Sequence, residues 1–179
     1  MGVTVYAPDG EVGPEPATLA AGPNVLTGLR IGVLDNGKPN AGLLLKRVGE
    51  QLAARTGASL VLVTEKGPGA NAATPCTQDV FEHLRTECDV VLTGSADCGS
   101  CTSWSVHDAI QLERSGTPTV VATTTRFVEL ARRVAAGFGV PEARVVVFPH
   151  PLGGTDDDTI IAWADGAVDE VVALLSRPA

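Results

Sequence analysis

In the stretch DCGSCTSWSVHD, Cys98 and Cys101 are separated only by Gly99 and Ser100. Two intervening residues, one of them glycine, let both sulfurs approach closely enough for a reversible disulfide. The hydroxyl run that follows reads as a helix opening, where unsatisfied backbone N–H groups and the positive end of the dipole favour thiolate over thiol. Cys98 and Cys101 are therefore both candidates for activation. Ser100, Thr102 and Ser103 add hydroxyls that cap the helix or hold a substrate. The pair also supplies two soft metal ligands, half of what a closed tetrahedral zinc site needs.

Other residues of the right chemistry lie elsewhere in the chain. His150, between Pro149 and Pro151, suits a general acid or base held on a fixed backbone, or a histidine bonded locally in its loop. His107 falls on the polar side of the helix after the cysteines, facing either the sulfurs or solvent, and His83 reads as inert. Asn36 is a candidate for a substrate carbonyl or carboxylate and Lys38 for an anion. With Asp35, they otherwise form a solvated turn about Gly37. Thr123 and Thr124 bind a ligand or cap the next helix. Trp104 shields the thiols, stacks on a substrate or packs between helix and loop. Trp163 reads as packing or an oligomer contact. Cys88 reads as a buried structural thiol, whereas Cys76 is either a third thiol near the site or a residue at a helix cap.

These residues need elements to position them. Apolar, β-branched runs at 29–35, 59–65, 89–94, 118–123 and 143–149 suit buried parallel strands. Between them the spacing predicts helices: one capped by Asn40 and stopped by Gly57, one over 77–86, one over 103–115 with Val106, Ala109 and Ile110 inward, and one over 125–138. A last helix begins at Thr155, with Asp156, Asp157 and Asp158 in its first turn and Ile160, Ala164, Ala167, Val168, Val171 and Leu175 on one stripe. Five alternations of strand and helix predict one three-layer α/β domain over 29–179, with a mainly parallel five-stranded sheet of flavodoxin or Rossmann-like type. Residues 1–28 read as an irregular arm, with a short strand possible around Val3–Tyr6, packed on the body, packed on a partner chain or solvated. In open α/β sheets ligands sit beyond the carboxyl ends of the strands. The candidate site therefore combines 35–40, 66–76, 95–104, 123–126 and 150–154.

Composition narrows the class. The chain has 179 residues and a net charge of −8, with no long basic run. That argues against a nucleic-acid surface and for a small-molecule substrate or a protein partner. No apolar run is long enough to cross a bilayer and no signal segment is visible, which points to a cytoplasmic protein without membrane attachment. Four cysteines in such a chain suggest reduced, catalytic or metal-binding thiols. No glycine-rich phosphate fingerprint follows a strand, so no nucleotide cofactor is expected.

The stretch GSADCGSCTSWSVHDAIQLERSGTPTVVATTTRF (94–127), with LDNGKPNAGLLL and FPHPLGG, closely resembles the UGSC family of bacterial selenoproteins and their cysteine homologues, named for a Sec-Gly-Ser-Cys motif. Cys98 stands where that family carries selenocysteine. More distantly, the stretch is similar to the selenocysteine-bearing subunits of glycine and D-proline reductases, which follow a Sec-x-x-Cys turn with a helix and a GxP strand entry like Gly116–Pro118. That similarity implies Cys98 as the attacking atom and Cys101 as the resolving thiol. The chain departs from it in carrying cysteine, a weaker nucleophile, and in showing no trace of the pyruvoyl partner subunit.

Three functions are compatible with these residues. The leading expectation is a thiol-dependent enzyme in which Cys98 attacks a small electrophile and Cys101 resolves the adduct, by reductive cleavage or thiol exchange. The second keeps the nucleophile without redox chemistry, as an acyl transferase, hydrolase or lyase with His150 or His107 moving protons. The third is soft-metal binding by the two thiols with a histidine or Cys76. A homo-oligomer or a partner subunit is compatible with each.

Overall fold

Alternation of side chains along the strands sorts the core into two layers. In β1 (Arg30–Asp35), Ile31 and Val33 enter one apolar cluster while Leu34 enters another on the opposite face. β3 (Val90–Ala96) does the same, with Val90 and Leu92 on one side and Val91 on the other. The structure is a computed structural model that describes residues 18–176. The strand considered around Val3–Tyr6 lies outside the described residues.

With β2 (Ser59–Glu65), β4 (Thr119–Thr124) and β5 (Val145–Phe148), these strands form a wholly parallel five-stranded sheet in the order β2-β1-β3-β4-β5. This is the flavodoxin-like order, whose ligand crevice opens between β1 and β3, where the chain reverses direction across the sheet. One face is covered by α1 (Ala41–Thr56), α5 (Asp157–Gly166) and α6 (Val168–Leu175). The other carries α2 (Gln78–Glu87), α3 (Gly99–Arg114) and α4 (Val128–Gly137). No helix of the described residues is long and apolar enough to cross a membrane.

Three expectations change. The helix after the cysteines begins at Gly99 rather than at 103, because Cys98, not a serine, occupies its N-cap. The last helix is two helices broken at Ala167, which lets the second segment turn onto β4 and β5. Asn40 holds the N-cap position of α1 but makes no side-chain cap bond. Its amide donates to the carbonyls of Leu152 and Thr155 at 2.9 and 2.8 Å and so ties the start of α1 to the loop after β5. Gly57 stops α1 as expected, in a left-handed conformation with φ 76°.

The described end of the arm is irregular and tied to the body. Ala20 donates to Glu113 Oε2 at 2.7 Å and accepts from Arg144 Nη2 at 2.8 Å, while Arg144 and Glu113 form a buried ion pair beneath the sheet. Leu26 joins the larger core cluster.

Candidate functional site

Everything chemical in the CGSC turn follows from how β3 ends. Its register with β4 shifts between Thr93 and Ala96, and such irregularities re-aim a strand next to functional sites. Gly94 is required there: its φ is 150°, and a Cβ would stand 2.8 Å from the Ala122 carbonyl oxygen. Asn36, buried at the end of β1, secures the same point. Its amide donates to the Ser95 carbonyl at 2.8 Å and to Ser105 Oγ on α3 at 3.2 Å.

Beyond this point Cys98 adopts an extended conformation and its sulfur takes the role an aspartate or serine oxygen usually plays at an N-cap. The Cys101 N–H donates to Cys98 Sγ at 3.2 Å. An acceptor at a helix N-terminus is favoured as an anion, so this geometry stabilises the Cys98 thiolate. The Cys98 carbonyl accepts from Thr102 Oγ1 at 2.5 Å and lies 3.3 Å from Cys101 Sγ, within reach of its S–H once the pair is reduced. The Cys98 and Cys101 sulfurs pair, with Cα atoms 5.4 Å apart, within the span of a disulfide. Cys101 is fully buried and Cys98 half-buried. The attackable sulfur is thus the first of the two.

On one side of the pair a cavity of about 340 Å³ opens between the loops after β1 and β2 and the start of α3. Asn36, Lys38, Glu65, Lys66 and Ser100 line it, with residues 70–73 as the outer wall. Ser100 Oγ lies 3.8 Å from Cys98 Sγ. The outer loop is anchored from beneath by Lys66, whose Nζ is 2.8 Å from Asp108 Oδ2 and donates to the Thr74 carbonyl at 2.7 Å.

On the other side, three neighbouring strand ends meet. Asp97 follows β3, Thr124 ends β4 and His150 follows β5. Asp97 Oδ1 lies 2.8 Å from His150 Nδ1 and accepts from Thr124 Oγ1 at 3.0 Å. A carboxylate on Nδ1 fixes the imidazole tautomer and leaves Nε2 for proton transfer. Thr123 instead bonds the Ala96 carbonyl and holds the strand end.

Other candidates lie apart. His107 is on the outer side of α3, with its ring against Trp104 and Phe138 and its Nδ1 3.2 Å from Asp108 Oδ1. It lines a second cavity with Cys76 and Phe81, and these hydrogen-bond and ring partners do not include Cys98 or Cys101. Trp104 packs on His107, and Ser103 bonds the Gly99 carbonyl within the helix. The Asp35 carboxylate accepts from the Gly37 N–H and stands against Gly42 of α1, outside the cavity lining. Burial pushes its carboxyl up, with the charge of Glu65 adding to the shift. Burial, then the charge of Asp108, pushes the Cys76 thiol up to about 12. Burial pushes Cys88, packed against Gly32, up to about 11. Neither thiol is activated. The described residues contain no group of three or more His, Cys, Asp or Glu that could hold a metal ion.

Asp97 falls within the expected 95–104 segment, but only the fold assigns it a role, although an acidic residue directly before a rim cysteine is visible in DCGSC. Glu65 and the pairing of Lys66 with Asp108 carry no local signal in the sequence.

The sequence matches the model of the UGSC family over residues 4–177. The chain belongs to the UGSC family. No curated protein matches it. Among solved structures, this UGSC-family chain is similar to a flavone reductase at 13% identity and a TM-score of 0.49, with 82% of this chain and 63% of that one covered. The lactose-specific IIB component domain of a phosphotransferase system from Streptococcus pneumoniae aligns at 11% identity and a TM-score of 0.32, covering 82% of this chain and 97% of that one. Translation elongation factor SelB from Methanococcus maripaludis, in its apo form, aligns at 10% identity and 0.42, covering 87% and 35%. These likenesses carry no functional weight.

Proposed function

We propose that this UGSC-family chain is a thiol-dependent enzyme that reduces or exchanges a bond to sulfur in a small molecule. The observation that carries the reading is the Cys98 sulfur at the N-cap of α3, accepting the Cys101 N–H with the Cys101 sulfur beside it. With a disulfide substrate the Cys98 thiolate forms a bond to one sulfur, and the other leaves with the bonding pair and takes a proton. Cys101 then gives up its proton, bonds to Cys98 Sγ and expels the second sulfur as a thiol. Two electrons pass from the cysteine pair to the substrate, and an external dithiol restores the pair. His150, oriented by Asp97, is the group assigned to move both protons.

The test supplies hydroxyethyl disulfide with a dithiol reductant. The wild-type chain should turn over, Cys98→Ser should be inactive, and Cys101→Ser, pre-reduced and freed of the dithiol, should release one thiol and stall as a mixed disulfide on Cys98. Turnover by Cys101→Ser at the wild-type rate contradicts the redox scheme. The Asp97–His150 pair supports a second reading, acyl transfer through Cys98 without redox chemistry, in which Cys101→Ser only weakens turnover.

A further inference from the structure

The cavity beside the thiols meets its charges in an order set by the sheet. Going outward from β3, which delivers Cys98, come β1 and then β2. Lys38 follows β1 and Glu65 ends β2, and both line the cavity with Ser100, the residue in contact with Cys98. Neighbouring strands are about 4.8 Å apart, so the strand ends that deliver the thiols, a cation and an anion follow one another over about 10 Å.

The other charged group on the wall is already satisfied. Lys66 is buried with Asp108 and the Thr74 carbonyl. Lys38 and Glu65 enter none of the ion pairs among the described residues. The remaining lining is glycine, alanine and two carboxamides, from Asn36 and Asn71. Charge recognition in this cavity therefore falls to one lysine and one glutamate. The positive end of α3 adds to Lys38 on the inner side.

We propose that this cavity receives a small zwitterion, its anionic group against Lys38 on the thiol side and its cationic group against Glu65 farther out. The inference rests on Cys98 as the attacking thiol and names the class of molecule presented to it. At about 340 Å³ the cavity is at the small end of ligand pockets. A compact molecule with both charges fits it better than a polyanion, which would meet Glu65, or a polycation, which would meet Lys38.

Three disulfides of similar size separate the charges: cystine carries both, dithiodipropionate lacks the ammonium groups, and cystamine lacks the carboxylates. The readout is the rate of mixed-disulfide formation at Cys98 in reduced Cys101→Ser protein, located by peptide mapping. Each rate is divided by that of a free small thiol, which cancels the intrinsic reactivity of the disulfide. The expected order is cystine, dithiodipropionate, cystamine. Lys38→Met should slow the two carboxylates by about three- to fivefold, the size of one exposed ion pair, without slowing cystamine. Glu65→Gln should slow cystine and spare dithiodipropionate. Added salt should compress these differences. Equal normalised rates, cystamine reacting fastest, or a Lys38→Met protein that reacts with both carboxylates at the wild-type rates overturns the proposal while leaving Cys98 as nucleophile. No reaction at Cys98 with any of the three overturns both.

Discussion

Brief alkylation of the fully reduced protein at about pH 7 should rank its cysteines, and the ranking can be worked out in advance. The Cys76 and Cys88 thiols are pushed up to about 12 and about 11 by burial. At about pH 7 such values leave roughly one part in 100,000 and one in 10,000 as thiolate, against roughly 3% for an ordinary thiol with a pKa of about 8.5. Even without help from α3, Cys98 then has a thiolate advantage of about 300-fold over Cys88 and about 3,000-fold over Cys76. A thiolate of lower pKa is also a weaker nucleophile, and a Brønsted slope of about 0.45 removes roughly 13-fold and roughly 40-fold of that advantage. Selectivities of about 20-fold and about 80-fold remain, and lowering of the Cys98 pKa at the helix terminus toward the assay pH enlarges them.

The assay is timed iodoacetamide labelling with peptide mapping across a pH series. Labelling of Cys76 and Cys88 should climb about tenfold per pH unit through the neutral range, whereas labelling of Cys98 should level off once its thiolate is formed. Cys88 or Cys76 reacting as fast as Cys98 would mean that burial and N-cap geometry do not govern reactivity.

Further outcomes follow from the packing. Lys66→Met leaves the buried Asp108 carboxylate without its cation, and urea titration should show a loss of about 3–5 kcal/mol. The Lys66→Met, Asp108→Leu double variant should recover part of it, and a loss below about 1 kcal/mol in the single variant would mean that the pair does not anchor the loop. Gly94→Ala places a methyl 2.8 Å from the Ala122 carbonyl oxygen at a φ of 150°. A cost of about 1–3 kcal/mol and slower Cys98 labelling are expected, and wild-type behaviour in both would remove Gly94 from the account. The Arg30 guanidinium holds the Asp89 carboxyl below its ordinary value. Its contribution to stability is therefore full above the unfolded carboxylate value of about 3.9 and is lost as pH falls through the lower folded value. Asp89→Asn should flatten that part of the acid denaturation curve, and an unchanged curve would assign the acid limb to other groups.

The sheet could be read from the chain because each β-branched run is bounded by a helical stripe, and alternation forces parallel strands. The place of Cys98 and Cys101 followed, since they lie just past a strand end. Helix boundaries were harder where one atom type replaces another. Thr102 and Ser103 look like caps, but their hydroxyls bond carbonyls four residues back, and a cysteine sulfur takes the capping role. The break at Ala167 was hidden because the apolar stripe continues through it from Ile160 to Leu175. His150 was legible as a rim residue, whereas its partner Asp97 is 53 positions away and meets it only because β3, β4 and β5 lie side by side. His107 looked suitable by its spacing from the cysteines, yet helical phase carries its ring to the outer side of α3, against Trp104 and Phe138.

The proposed chemistry stands or falls on whether Cys98 and Cys101 act as one redox couple. The protein should be equilibrated in a graded series of oxidised and reduced dithiothreitol, quenched with acid, alkylated and mapped by mass spectrometry. A single two-electron transition is predicted, linking Cys98 to Cys101, absent from Cys98→Ser and Cys101→Ser, with Cys76 and Cys88 free to alkylate after unfolding at every potential. Cys98 and Cys101 persisting as separate thiols across the whole series, or bridging to Cys76 or Cys88 instead, would contradict it.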